Sequence, residues 1–216
     1  IIAAVGEIAE RFDDKKTIIV KNMPRLDMID GVKPAYNKKK DAIIYAGSLS
    51  ESRGVTQAIK AIGLIKGRGR LLLMGRWEDK DFNRRVEGLR GWQDTSYLGN
   101  LRPEEVYGYI KVSDIGLSAL HPIPNYLFSL PTKVFEYMAC SLPVVMSDFP
   151  YWREVFGECA LFADPHDPKD ISEKILYLLD NPDKAAELGR KGRRLVEEKY
   201  NWEKESEKLL RLYGSL

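Results

Sequence analysis

Thr132, Lys133 and Glu136 in the run SLPTKVFEYMAC carry the first suggestion of chemistry, with Pro131 just ahead of them. Proline fixes φ at a value suited to the first helical turn, so the sequence predicts a helix over residues 131–140. The first N–H groups of a helix have no internal partner. Lys133 then sits where its charge opposes the helix dipole, which is unfavourable unless an anion or Glu136 compensates it. Lys133, Glu136 and Cys140 share one face at i, i+3 and i+7, while Val134, Phe135 and Met138 form an apolar side. Free amides beside a cation suit a phosphate. A surface Lys–Glu pair accounts for the same spacing without any ligand.

Two other segments could meet a ligand. YAGSLSESRGV, residues 45–55, leaves a strand-like run and ends at a helix start. Gly47 would let the backbone approach closely, Ser48 follows it, and Arg53 supplies a cation before Gly54. The pattern GxxxxGK[ST] is absent, so this is not a P-loop. On its own the loop is a weak signal, and an ordinary polar turn is the simpler reading. In YLGN, residues 97–100, Gly99 offers room for a flat ring, or simply a turn.

Other chemistries are closed off. Cys140 and Cys159 form no CxxC pair and lie in apolar stretches, as buried free thiols do. His121 and His166 sit beside prolines without metal-ligand spacing, and no Asp/Glu cluster marks an ion site. No pair of carboxylates of the glycosidase type can be assigned. The chain has 216 residues, is 44% hydrophobic, and carries a net charge of +2. That balance excludes a disordered chain and gives no support to a nucleic-acid partner. No apolar run approaches the length of a membrane span, and no signal peptide is visible. Residue 1 is Ile, and the sequence reads as a piece of a longer chain.

The elements that must position these residues follow an alternating pattern. Strand-like runs fall at residues 17–21, 42–46, 71–74, 95–98, 115–118, 143–146 and 160–163. Several lack polar alternation, as expected when helices cover both faces of a parallel sheet. Helix-like stretches fall at 55–66, 81–89, 103–111, 131–140 and 168–179, with closing helices at 183–199 and 202–212. The expected fold is α/β, a Rossmann-like doubly wound parallel sheet with helices on both faces. Residues 22–41 read as a connecting loop. IIAAVGEIAERF reads as a short strand and a helix with Val5, Ile8 and Phe12 on one side. It is either the end of a preceding domain or the first unit of the same sheet.

The segment LPTKVFEYMACSLPVVMSD, with FPYWREV after it, resembles the donor-binding motif of family 4 retaining glycosyltransferases of the GT-B fold. YAGSLSESRGV, LLLMGR, YLGNLRPEEVYGYIKVSDIGLSAL and the closing NWEKESEKLLRLY resemble further parts of that family's C-terminal half. The resemblance implies residues 1–16 as a remnant of an N-terminal acceptor domain. It implies 17–200 as a nucleotide-sugar-binding domain and 201–216 as a crossover helix. By the same resemblance Glu136 would accept ribose hydroxyls, and Thr132 and Lys133 would face the distal phosphate and sugar. Gly47, Ser48 and Arg53 would flank the diphosphate, and main-chain groups near Leu98 would hold the base. Phe128 stands where many members have a second glutamate, Ser48 where an arginine is common, and Ser141 where glycine is usual.

The implied activity is retaining glycosyl transfer from a UDP- or GDP-linked sugar to a glycan or lipid-linked acceptor. No separate cofactor and no metal are expected, and this chain alone should bind donor without turnover. A sugar-nucleotide epimerase of the same fold and a non-catalytic nucleotide-binding or interaction module are the alternatives. The expected location is cytoplasmic. Residues 37–41 and 191–194 could give the parent protein a peripheral contact with anionic lipid, or be solvated surface charge.

Overall fold

The computed structural model describes residues 1–36 and 41–214. The basic cluster at 37–40 lies outside the described residues. In chain order the elements are β1 (Ile2–Ala3), α1 (Gly6–Ala9), β2 (Ile18–Ile19), α2 (Leu26–Gly31), β3 (Ala42–Ala46), α3 (Val55–Leu64) and β4 (Arg70–Met74). Then come α4 (Lys80–Glu87), β5 (Thr95–Tyr97), α5 (Pro103–Ile110), β6 (Ile115–Ser118), α6 (Pro124–Leu127), α7 (Thr132–Ala139) and β7 (Val144–Ser147). The chain closes with α8 (Pro150–Phe156), β8 (Ala160–Ala163), α9 (Pro168–Asp180), α10 (Pro182–Glu198) and α11 (Trp202–Gly214).

Strands β3 to β8 form one parallel sheet in the order β5-β4-β3-β6-β7-β8. Counted within this sheet, that is the order of a doubly wound nucleotide-binding fold, with its switch point between β3 and β6. The central strands are largely apolar because both faces are covered. Ile44, Leu72, Val144 and Met146 pack under Phe135, Tyr137, Trp152 and Val196 of α7, α8 and α10. Ile43, Leu71, Leu73 and Val145 pack under Ile59, Phe82, Ile171 and Ile175 of α3, α4 and α9. Successive residues of one strand thus feed two cores, which removes any polar alternation.

Three readings from the sequence need correction. Residues 22–41 are not wholly a loop, since α2 lies within them and buries Ile29 completely. Helix α8 was not anticipated from periodicity. Both are too short to show a helical repeat, and α8 is opened by Pro150 much as Pro103 opens α5. Helix α1 is a single turn, and its expected apolar side is not buried: Ile8 and Phe12 are 45% and 44% exposed.

The run at 17–21 does contain a strand, but β2 pairs with β1 in a separate two-stranded parallel sheet. Helix α11 returns to this first segment. Its buried Glu205 accepts from the Lys21 N–H at 2.8 Å and from Lys208 Nζ at 2.7 Å, while Glu203 accepts from the Leu26 N–H. In the basic stretch 191–194, Lys191 pairs with Glu187, and Arg193 pairs with Asp30 and Glu197. No described helix is long and apolar enough to cross a membrane.

Candidate functional site

A cavity of about 370 Å³ opens beyond the carboxyl ends of β3 and β4, beside the starts of α5 and α7. The backbone at its floor is closely fitted. Gly75 follows β4 at φ 141°, and a Cβ there would lie 1.7 Å from the Gly47 carbonyl oxygen. Only glycine fits so near an opposing carbonyl. Gly54 closes the loop after β3 at φ 70°, against the Ala119 carbonyl beyond β6.

Helix α7 is aimed at the cavity by contacts along its length. The Tyr137 hydroxyl accepts from the Ala46 N–H at the end of β3, at 2.9 Å. The Tyr137 ring sits on Gly116 of β6, where a Cβ would come within 2.4 Å of it. Trp152 Nε1 donates to the Ser129 carbonyl at 2.7 Å and holds the approach to the helix. Pro131 is the N-cap and supplies no side-chain acceptor, so among the described residues the N–H groups of Thr132 and Lys133 are left for another acceptor.

Lys133 is the most unusual group. It is 7% exposed, and among the described residues its Nζ has no hydrogen-bond partner. The side chain passes Gly47 and places Nζ 3.6 Å from the centre of the Tyr45 ring. Burial holds its pKa well below the ordinary lysine value, Arg53 lowers it further, and Glu136 raises it. Arg53 lies over the Tyr126 ring, with Cζ 5.6 Å from the centroid. Both cations therefore rest on aromatic faces, and neither makes an ion pair among the described residues.

Glu136 lies one turn beyond Lys133. Its carboxyl is pushed up by burial, against the lowering effects of the Tyr107 hydroxyl and of Lys133. Tyr107 donates to Glu136 Oε1 at 3.2 Å across the cavity. Burial first, then the Glu136 charge, pushes the Tyr107 hydroxyl up, so it stays a donor.

Gly47, Ser48, Arg53, Thr132, Lys133 and Glu136 all line this one cavity. Leu98 does not. Its side chain packs against the core, its N–H bonds the Leu73 carbonyl at 2.8 Å, and its neighbours Asn100 and Leu101 line the cavity instead. Phe128 is 57% exposed and outside the lining. Sequence reasoning missed Gly75 and Arg76, although a glycine and a cation after a strand repeat the signal read at Gly47 and Arg53. It also missed Tyr107, which carries no local signal because it reaches the site from another helix.

Among the described residues no group of three or more His, Cys, Asp or Glu could hold a metal ion. The His121 and His166 rings meet at a tilt of 43° with centroids 4.4 Å apart, and His121 Nε2 contacts Gln57 Oε1 at 3.0 Å. Cys140 and Cys159 are free thiols, pushed by burial to about 12 and about 11.

The sequence matches the family model described as glycosyl transferases group 1 over residues 30–195. It is 32% identical over 146 residues to the O-antigen chain mannosyltransferase B of Escherichia coli, covering 64% of this chain and 36% of that protein. HepE of Anabaena, solved in complex with UDP and glucose, matches with a TM-score of 0.81 at 15% identity, over 100% of this chain and 62% of that one. The C-terminal domain of the glycosyl transferase group 1 family protein LpcC from Francisella tularensis matches with a TM-score of 0.67 at 19% identity. That match covers 80% of this chain and 97% of the other. At these identities the two structures show a shared GT-B-type domain fold. The chain spans less than half the length of the curated relatives it matches.

Proposed function

The chain belongs to the glycosyl transferases group 1 family, and on that basis we propose that its cavity binds a nucleotide-diphosphate sugar as the donor for glycosyl transfer. The observation that carries this reading is Lys133, a buried amine at the start of α7 with no hydrogen-bond partner among the described residues. Burying such a group unpaired is costly, and a diphosphate beside it would remove the cost. Arg53, Thr132 and Lys133 line the same space. Glu136 repels phosphate and accepts hydroxyls, so it sets the ligand's polarity. The phosphates lie at Lys133 and Arg53, and the ribose lies at Glu136.

Gly47 and Ser48 bring the loop backbone up to the diphosphate, and the segment after Leu98, through Asn100 and Leu101, meets the base. UDP- and GDP-linked sugars are the donors to test, and the UDP bound by HepE supports the former. Breaking the bond from the anomeric carbon puts charge on the departing diphosphate. Arg53, Lys133 and the α7 amides stabilise that charge electrostatically. Transfer with retention follows the resemblance to family 4.

The likeness to a C-terminal domain supports reading this chain as the donor-binding half. Residues 1–16 are then the end of an acceptor-side unit, 17–200 the donor domain and 201–216 the crossover helix. The pairing of β2 with β1 joins the first two across their boundary. A glycan or lipid-linked acceptor would be met by the other half, so this chain binds donor without transferring the sugar.

Calorimetric titration of UDP, GDP and their sugars tests the reading. Each charge-assisted contact contributes about 1.5–3 kcal/mol, so Arg53→Ala and Glu136→Ala should each lower affinity roughly 10- to 150-fold. No binding of any nucleotide, or unchanged binding in both variants, would instead favour an interaction module.

A further inference from the structure

Tyr107 reaches the cavity from α5, and its position there is fixed from behind. The Gly108 carbonyl accepts from the Ala35 N–H at 3.0 Å, and a Cβ on Gly108 would lie 3.1 Å from the Lys33 carbonyl oxygen. Lys111 Nζ donates to the Val32 carbonyl at 2.7 Å. The helix is thus tied to the chain beyond α2, and Tyr107 is held facing α7. Its hydroxyl takes one oxygen of Glu136, Oε1. Among the described residues Oε2 accepts no hydrogen bond, and Glu136 lines the cavity.

A glutamate carboxylate turns easily about its last torsion, because that torsion has a broad, nearly two-fold profile. A donor on one oxygen fixes the plane and aims the other. We propose that Tyr107 is a positioning and specificity-determining residue: by holding Glu136 Oε1 it presents Oε2 to the sugar hydroxyls of a nucleoside diphosphate, selecting ribose over sugars that lack those hydroxyls. This rests on the reading of the cavity given above. A site built to accept from a hydroxyl discriminates strongly against ligands without one, provided its acceptor is held in place.

The same bond has a consequence for pH. The groups facing Glu136 are Tyr107 from α5 and, on its own helix, Lys133, Tyr137 and Cys140. Arg53 and Arg76 line the same cavity from the loops after β3 and β4. Tyr107 lowers the pKa of a carboxyl that burial raises. Removing its hydroxyl must therefore move the acid limb of ligand affinity to higher pH.

The test is Tyr107→Phe in the full 216-residue chain, titrated calorimetrically with UDP and GDP and with their 2′,3′-dideoxy forms across a pH series. The expected result is a loss of about tenfold in affinity for the ribose forms, the effect of one charge-assisted hydrogen bond, with the dideoxy forms changed less than about twofold. The acid limb for the ribose forms moves up. In a Glu136→Gln background the substitution then adds nothing. Should Tyr107→Phe fail to fold, 3-fluorotyrosine at position 107 keeps nearly the same shape and is a stronger donor. It must move the acid limb the other way, to lower pH. An equal loss for both sugar types, or an unchanged ribose preference and pH profile, overturns the role of Tyr107 while leaving the cavity a nucleotide site. If the unmodified protein binds neither nucleotide, or binds ribose and dideoxy forms alike, the reading of the cavity itself falls.

Discussion

Lys133 shows how far a single residue can depart from what stability alone would choose. Its amine is buried on the Tyr45 ring without a hydrogen-bond partner among the described residues, and burial holds its pKa well below the ordinary lysine value. Between that depressed value and the ordinary one, the unfolded chain binds more protons than the folded chain. Stability must therefore rise with pH across this window. Lys133→Met should flatten that rise and stabilise the fold by about 1 kcal/mol or more, raising Tm by roughly 2–4 °C for each kcal/mol. It should also abolish diphosphate binding. Thermal scans over a pH series check this, and a lower Tm would mean that the amine has a partner after all. Lys133 was visible in the sequence because a cation at a helix start breaks a local rule. Tyr45 and Tyr107 were not, because nothing local to either residue marks it. Each matters only through a side chain that the topology brings from another element.

At the scale of elements, the site depends on how α7 is seated. The Tyr137 hydroxyl caps the last N–H of β3, and Gly116 leaves room for the ring. Tyr137→Phe would leave the buried Ala46 N–H unpaired, at a cost of about 1–3 kcal/mol. The urea midpoint should fall with the slope unchanged, and nucleotide affinity should fall with it because the start of α7 is no longer fixed to β3. A change in slope would point instead to loss of two-state unfolding. The long elements were legible for a simple reason. Runs such as residues 42–46 and 115–118 are apolar on both faces, which a parallel sheet between two helical layers demands. Helices α2 and α8 escaped because six or seven residues do not complete two helical turns, so no repeat is visible. Leu98 illustrates a different limit. Just beyond β5 its side chain packs against the core, and its neighbours Asn100 and Leu101 line the cavity.

At the scale of the whole molecule, the six-stranded sheet has a seam at β3 and β6, and the candidate site lies across it. Strand β3 pairs with β4 along its full length from Ala42 to Ala46, but with β6 only at Ile43 and Ile44. This is the switch point, where one half of the sheet gives way to the other. Both ends of the β3 edge facing β6 are finished by side chains from the far half. The Ala42 N–H donates to the Asp114 carboxylate at 3.0 Å, and the Ala46 N–H to Tyr137. The cavity is lined from both halves, by Gly47, Ser48 and Arg53 on one side and by Thr132, Lys133 and Glu136 on the other. A ligand there would bridge the seam and stabilise the whole fold, by about 2.7 kcal/mol at a concentration 100 times Kd. Local opening is expected to be easiest where pairing is shortest. The Ala46 amide should therefore exchange with solvent deuterium faster than the amides of β4 in the ligand-free protein. Saturating UDP or GDP, whichever binds, should slow it selectively. A uniform slowing across the sheet would show that the ligand acts only on global unfolding. A selective effect at Ala46 would show that the two halves are joined at the site by what they bind.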